Sequence, residues 1–476
     1  MGDFVKDCFA KENDPAAWRH MADMATVFDW LGQSKVCPAC GQTHTIQTRR
    51  LSQGENIAGD IGHHLTDLGF TGRCLVVMDQ NTRQAAGLAL MEGLTRYQPR
   101  ALVFERDDLH ADEHALGSLL VALADRPDFM VSCGSGTLTD ITRYNSLMTG
   151  IPFVSYATAA SVDGFASTTT PILNHGFKTT FPGVAPEAVF YDPAVLAAAP
   201  AAMTAAGFGD VMAKIIAMID WRLAYAVENE AYCPLIAALV EHAIKDCLDL
   251  AGDLAAKTED LTRRGIACAR LMETLSLTGI GMQMMGSSRP ASGSEHHISH
   301  LLEMRDIQRQ RRGSLHGDKV GIGTLISMTI YQRLFAGEKM PEQRPVMAAD
   351  RWESEVRRVF GPLAPAALAI NSPQPPQGTE WDRQKQIIEQ AMALFGYDYV
   401  RSFEQLLPAA REKITAIGGP VRPDQLGYSV QDTYDAIAFG KEVRPKFTTL
   451  RLAERFGWLY DLAEEIAAGL PLGKVY

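Results

Sequence analysis

Between about residues 70 and 157 the chain alternates short apolar runs with stretches of helical periodicity. Cys74-Leu75-Val76-Val77-Met78-Asp79 is apolar until its closing acid. Ala101-Leu102-Val103-Phe104, Phe129-Met130-Val131-Ser132-Cys133 and Pro152-Phe153-Val154-Ser155-Tyr156 repeat the pattern. Residues 83–97, 116–124 and a stretch carrying Tyr144 and Met148 read as helices between or after them. Such alternation predicts a parallel sheet covered on both faces, with strands apolar throughout. Residues 170–192 are rich in Pro and Gly and predict a hairpin or edge strands. After Pro193 strand signals fade and long helices are expected at 210–227, 232–250, 258–278, 295–311, 321–335, 381–395, 403–417 and 448–468. A helical leader over 1–36 is suggested by Trp18, Met21, Met24, Val27, Phe28 and Leu31. The expected class is therefore α/β: a parallel-sheet domain over 1–194 followed by an all-helical domain over 195–476.

Composition narrows the function. A hydrophobic share of 46% against 21% charged residues is that of an ordinary globular protein with ample core. The net charge of −11 argues against a partner built of nucleic acid phosphates, leaving small molecules as the expected partners. No secretory pattern opens the chain and no apolar run reaches bilayer length, so a cytoplasmic protein without a membrane span is expected. Eight cysteines in 476 residues are no disulfide scaffold, and Cys74, Cys133, Cys247 and Cys268 sit in apolar segments as buried thiols do. Cys37-Pro38-Ala39-Cys40-Gly41 with His44 offers three zinc ligands. A complete site needs a fourth, and without a second Cys-x-x-Cys a turn with reduced thiols is the simpler reading.

Three stretches carry the chemistry. Gly134-Ser135-Gly136-Thr137-Leu138 joins a buried strand to a helix, where small residues admit a pyrophosphate to free N–H groups. It lacks the third glycine of the usual dinucleotide fingerprint, which is Thr139 here. Thr158-Ala159-Ala160-Ser161, with Ser167 beyond, follows the fourth strand, where α/β sheets bind ligands. Asp79 ends the first strand and is positioned to accept from a ribose hydroxyl, which would favour NAD over NADP. The third stretch, Ser294-Glu295-His296-His297-Ile298-Ser299-His300, puts His296 and His300 one helical turn apart, with His316 further on. Asp210, opening a strong helix, adds a carboxylate. One carboxylate and two imidazoles with an open position make a catalytic divalent-metal site. Spacing alone leaves His296 and His297 equally eligible as ligand.

Together these blocks, with Met203 to Asp210 and His316-Gly317, resemble the sn-glycerol-1-phosphate dehydrogenases over roughly residues 37–335. That family lies within the metal-dependent alcohol dehydrogenase and dehydroquinate synthase superfamily. The resemblance implies a Rossmann-like N-terminal domain, a helical C-terminal domain of dehydroquinate synthase-like type, and an active site between them. It implies NAD or NADP as cofactor, held by Gly134 to Leu138 at the pyrophosphate and by Thr158 to Ser161 and Ser167 beside the nicotinamide. It implies one divalent metal, zinc or nickel, with iron in related enzymes, on Asp210, His296 and His316. Asp163 and His300 would contact the substrate, and His297 would be structural. The implied reaction is reversible reduction of dihydroxyacetone phosphate to sn-glycerol 1-phosphate, possible in a homo-oligomer. The alternative is another polyol dehydrogenase or a sugar-phosphate cyclase of the superfamily; cyclases carry glutamate as first metal ligand, and Asp210 favours dehydrogenation. Ser135 departs from the family's usual middle glycine or alanine but is small enough to fit.

Overall fold

In a computed structural model, residues 27–106, 108–175, 177–255, 261–311, 313–372 and 375–469 are described. Strands are numbered β1 Ser34–Val36, β2 Thr43–Thr45, β3 Arg50–Gln53, β4 Cys74–Asp79, β5 Arg100–Phe104, β6 Phe129–Gly134, β7 Phe153–Ala157, β8 Thr169–Asn174, β9 Phe177–Pro182 and β10 Ala188–Tyr191. The central sheet has six parallel strands in the order β3-β10-β7-β6-β4-β5. Alternation of side chains splits its core in two. Val76, Met78, Phe129 and Val131 pack with Ile61 and Leu65 of α1 (Ile57–Asp67) and Leu90 of α2 (Leu88–Gly93). Leu75, Val77 and Met130 face Leu119 of α3 (Glu113–Ala122) and Ile141 of α4 (Gly136–Thr149). Helices on both faces explain why β4, β6 and β7 carry almost no polar side chain.

Two expectations need correction, the helical leader and the length of the apolar runs. The leader was expected to be helical to residue 36. Residues Trp18, Met21 and Met24 lie outside the described residues, and Ser34–Val36 is a strand paired antiparallel with Thr43–Thr45. Within 170–192, β8 and β9 form the expected hairpin, and β10 adds an interior strand between β3 and β7. Its run Ala188-Val189-Phe190-Tyr191 is buried throughout, as an interior strand requires.

After the last sheet strand the described residues are helical. α5 (Pro193–Ala198) leads into α6 (Ala201–Glu228), α7 (Pro234–Asp249), α8 (Leu261–Met285), α9 (Ser294–Gln308) and α10 (His316–Leu334). Further helices α11 Ala349–Phe360, α12 Ala364–Ile370, α13 Gly378–Ala391, α14 Tyr397–Ala416, α15 Val430–Phe439, α16 Thr449–Arg455 and α17 Leu459–Ala467 surround them. Contrary to the chain-level expectation, α6 is long and apolar enough to cross a bilayer. Its most apolar window is 89% buried inside the protein, so it is the central helix of the helical half. α6 meets α10 at glycines. A Cβ on Gly317 would stand 2.5 Å from the carbonyl carbon of Ala206, and one on Gly209 would stand 2.5 Å from Gly317 O. No larger residue permits this approach, which brings Asp210 of α6 to His316 at the start of α10.

Candidate active site

The C-terminal edge of the sheet supplies one wall. β6 ends at Gly134 and α4 begins at Gly136, with Ser135 as an N-cap whose side chain makes no capping bond. The first N–H groups of α4 are thus left for an external acceptor. Gly134 packs against Leu138, and a Cβ on Gly136 would stand 2.9 Å from Val162 Cγ2, so a side chain at either position would have to displace a neighbouring one. Thr139, at the absent third glycine, donates its hydroxyl to Ser135 O at 3.0 Å. The amide of Thr158 donates to Gly134 O at 3.1 Å, locking the second loop beside the first. Thr158, Ala159, Ala160 and Ser161 are buried in that loop, while Ser135, Gly136 and Thr137 are partly open. Ser167 turns inward instead: its hydroxyl bonds Thr169 Oγ1 at 2.9 Å and receives the Thr169 amide at 2.9 Å. Asp79 lies at the same sheet edge, its Oδ1 accepting from the Thr82 amide at 2.7 Å.

The helical half supplies the other wall. A Cβ on Gly207 would press into the backbone of Ala160, so the start of α6 lies directly on the 158–161 loop. One turn along, buried Asp210 accepts the Asp163 amide on Oδ2 at 2.9 Å. Its Oδ1 is 2.7 Å from Lys214 Nζ and 3.8 Å from His296 Nε2. Asp210, His296 and His316 offer one ligand atom each, all within 4.8 Å of one another. The imidazoles of His296, His300 and His316 form a triangle with centroids 5.3 to 5.9 Å apart.

The donor set fits a divalent cation. His296 Nδ1 is 2.8 Å from Glu295 Oε1, and His316 Nδ1 is 2.7 Å from Glu303 Oε1. A carboxylate on one ring nitrogen fixes the other as the ligand atom, the usual arrangement behind a metal-binding histidine. Electrostatics agree. Burial raises the pKa of Asp210, yet Lys214, His316 and His296 outweigh it and hold the carboxyl at about 2. Asp163, also 2.7 Å from Lys214, is raised by burial and by the Asp210 charge. His296 is held neutral, well below its ordinary value, by burial and then by Lys214 and His316. His300 is held neutral by burial and then by Arg444 and Lys178, and its Nδ1 is buried without a partner among the described residues. His297 is likewise buried and neutral, through burial and the charges of Arg444 and Lys446. It is outside the Asp210 cluster.

Four residues join the site that the sequence reading did not assign: Glu295 behind His296, Glu303, Lys178 and Arg444. Glu303, three positions after His300, stands between His316 and Lys178, whose Nζ is 2.5 Å from its Oε2. Burial raises its pKa, but Lys178, His316 and Lys319 bring it well below the ordinary value. His300, Glu303 and His316 form a second possible cation cluster that shares His316 with the first. Arg444, from the segment before α16, donates to Thr180 Oγ1 of the hairpin and is one of the charges acting on His300. Two lysines near the cluster are committed to carboxylates and a carbonyl. Lys214 pairs with Asp163 and Asp210, and Lys319 donates to Ser314 O at 2.7 Å beside Asp306 and Glu303.

The fold and the three-ligand cluster define a class, the iron-containing alcohol dehydrogenase type. Residues 52–200 match the family model described as iron-containing alcohol dehydrogenase. The fold is shared with an NADH-dependent butanol dehydrogenase from Thermotoga maritima, at TM-score 0.53 and 14% identity, covering 88% of this chain and 96% of that one. Closer in sequence is the glycerol-1-phosphate dehydrogenase [NAD(P)+] of Bacillus licheniformis, 32% identical across 89% of this chain and 93% of the relative. The enzyme of the same name from Bacillus subtilis is 40% identical over 57% of this chain and 68% of the relative. The chain belongs to the glycerol-1-phosphate dehydrogenase family.

Proposed function

We propose that the protein interconverts dihydroxyacetone phosphate and sn-glycerol 1-phosphate, using NAD or NADP and one divalent metal. The observation that carries the reading is the Asp210–His296–His316 cluster, tied through the Asp163 amide to the loop beside Gly134. The names of the family's curated members support the activity. Two domains, 1–194 and 195–476, frame the site. The last sheet strand ends at Tyr191, which supports that division.

Asp210, His296 and His316 hold the metal, and two imidazoles with one carboxylate suit zinc or nickel. When bound, the metal supplies Lewis-acid stabilisation at the C2 oxygen and the nicotinamide supplies the hydride. Glu295 and Glu303 orient the two ligand rings through Nδ1. Lys214 keeps Asp210 ionised without neutralising the site, because it is shared with Asp163. Asp163 and His300 face the substrate, and His300, held neutral, offers its ring as an uncharged hydrogen-bond partner. Arg444, the first of the cations acting on His300, is assigned the phosphate end, while Lys178 stays paired with Glu303. Gly134, Ser135, Gly136, Thr137 and Leu138 receive the pyrophosphate at the uncapped start of α4. Thr158, Ala159, Ala160 and Ser161 border the nicotinamide. Ser167 supports that loop from behind through Thr169. Asp79, with Oδ1 already used by Thr82, has its second oxygen for the adenosine ribose.

Reduction of dihydroxyacetone phosphate is measured with NADH and with NADPH, before and after complete chelation and after metal return. Activity restored only by metal, with sn-glycerol 1-phosphate as product, is expected. Formation of sn-glycerol 3-phosphate, or activity surviving metal removal, overturns the reading.

A further inference from the structure

The Cys-x-x-Cys motif finds its missing partner far along the chain. Cys37 Sγ is 3.7 Å from Cys233 Sγ, 196 residues away. His44 Nε2 is 3.3 Å from Cys233 Sγ and 3.2 Å from Cys40 Sγ. The four donor atoms lie within 4.8 Å of one another. Cys37, His44 and Cys233 are buried and Cys40 is half-buried. These distances discriminate between chemistries. A disulfide requires sulfurs about 2.0 Å apart. Tetrahedral zinc, with Zn–S near 2.3 Å and Zn–N near 2.0 Å, has S–S edges of about 3.8 Å and S–N edges of about 3.5 Å. The observed separations lie within a few tenths of an ångström of those edges.

The local backbone is that of a metal knuckle. The Gly41 amide returns to Cys37 O at 2.8 Å, the Cys37 amide donates to Gln42 O at 2.8 Å, and Gly41 takes φ +72°. That left-handed turn after the second cysteine needs glycine. His44 Nδ1 is 2.7 Å from Met284 O, so the ring donates there and turns Nε2 to the cysteines. Cys233 is the N-cap of α7. The two short strands β1 and β2 make a two-stranded ribbon, marginal by itself in water.

We propose that Cys37, Cys40, His44 and Cys233 bind a structural zinc ion, separate from the catalytic metal, that fastens the β1–β2 ribbon to the helical half. The fastening reaches the cofactor side. Next to Met284, Gln283 accepts the Gln47 amide at 2.8 Å, and its Nε2 donates to Thr48 Oγ1 at 2.9 Å and to Ala166 O. Ala166 directly precedes Ser167. The zinc therefore holds the ribbon and the end of α8 as one unit behind the nicotinamide-side loop.

The proposal is tested on the full chain by metal analysis and zinc-edge X-ray absorption. The proposed catalytic cluster has no sulfur ligand, so sulfur scattering from zinc in the wild-type protein reports only the knuckle. In the His296→Ala/His316→Ala variant, three sulfurs near 2.3 Å and one nitrogen near 2.0 Å are expected. The His296→Ala/His316→Ala variant is expected to retain one zinc per chain. Cys40→Ser and Cys233→Ser are expected to lose it, with a lower Tm. Should the cysteine variants fail to fold, mercurial titration of wild-type thiols serves instead, and one zinc is expected to be released. Zinc without sulfur ligands, no zinc in the His296→Ala/His316→Ala variant, or a Cys37–Cys233 disulfide overturns the proposal.

Discussion

Replacing Gly317 by alanine tests whether helix contact, rather than the ligands alone, builds the metal site. The new Cβ would stand 2.5 Å from the carbonyl carbon of Ala206 and closer still to its oxygen. Carbon–carbon contacts settle at about 3.5–4.0 Å, so α6 and α10 must separate by roughly 1 Å. The obstacle is backbone in the second turn of a buried helix and cannot rotate away as a side chain can. Alanine offers a compensating gain of about 0.5–1 kcal/mol within a helix. Overpacking costs about 1–3 kcal/mol, and steric cost should prevail because residue 317 is only the second residue of α10. The displacement falls on His316, adjacent in sequence, and pulls it from Asp210 on the opposing helix. Metal sites tolerate ligand displacements of about 0.2 Å. Affinity should therefore fall beyond the roughly 10–100-fold cost of losing an outer partner. Chelator competition at the catalytic site and a thermal melt measure the two effects. Wild-type affinity with an unchanged Tm would refute the reasoning.

Glu303→Gln removes the charge that holds His316 Nδ1 at 2.7 Å, and metal affinity should fall about 10–100-fold; equal affinity by chelator competition would remove Glu303 from the site. Gly134→Ala places a Cβ 3.1 Å from Leu138 Cβ and nearer still to Cδ1. Fluorescence titration should show weaker NADH binding with metal content unchanged, and wild-type affinity would count against the loop's role. His297 is neutral in the fold, with its pKa well below the ordinary value. Its share of stability is therefore present above the unfolded value of about 6.5 and is lost as pH falls below it, by up to about 1.4 kcal/mol per unit. Asp220 and Glu295, both raised to about 7 chiefly by burial, act in the opposite sense, losing stability as pH rises towards 7. The useful readout is thus the stability deficit of His297→Gln against wild type. That deficit should shrink between pH 7 and 5, and a pH-independent deficit contradicts a neutral His297.

What could be read from the sequence depended on whether a residue's meaning was local. Strands β4, β6 and β7 announce themselves because burial on both faces leaves them apolar, whereas β5, at the sheet edge with Arg100 and Ala101 exposed, shows only through the apolar run that ends it. β3 does not: Arg50-Leu51-Ser52-Gln53 is polar at alternate ends and becomes a strand only by pairing with β10. α1 and α11 were legible in principle, since Ile57, Ile61 and Leu65, and Trp352, Val356 and Val359, are buried at helical spacing. Among site residues, Asp210, His296, His300 and His316 could be named because unusual residue types gather there and the resemblance orders them. The choice between His296 and His297 was not in the spacing, and it follows from which ring faces Asp210.

Glu303 and Cys233 mark where local reading stops. Both are ordinary residues on helices until a distant histidine arrives, His316 for one and His44 for the other. In each case a ring nitrogen is fixed by a partner and the opposite nitrogen is aimed at a common point. One of these points gathers a carboxylate and two imidazoles at the cleft; the other gathers three thiols behind it. Oxygen and nitrogen donors with an open position favour catalysis, whereas a closed sulfur-rich set favours structure. On the two metal assignments proposed, it is the donor chemistry that separates the tasks of the two sites.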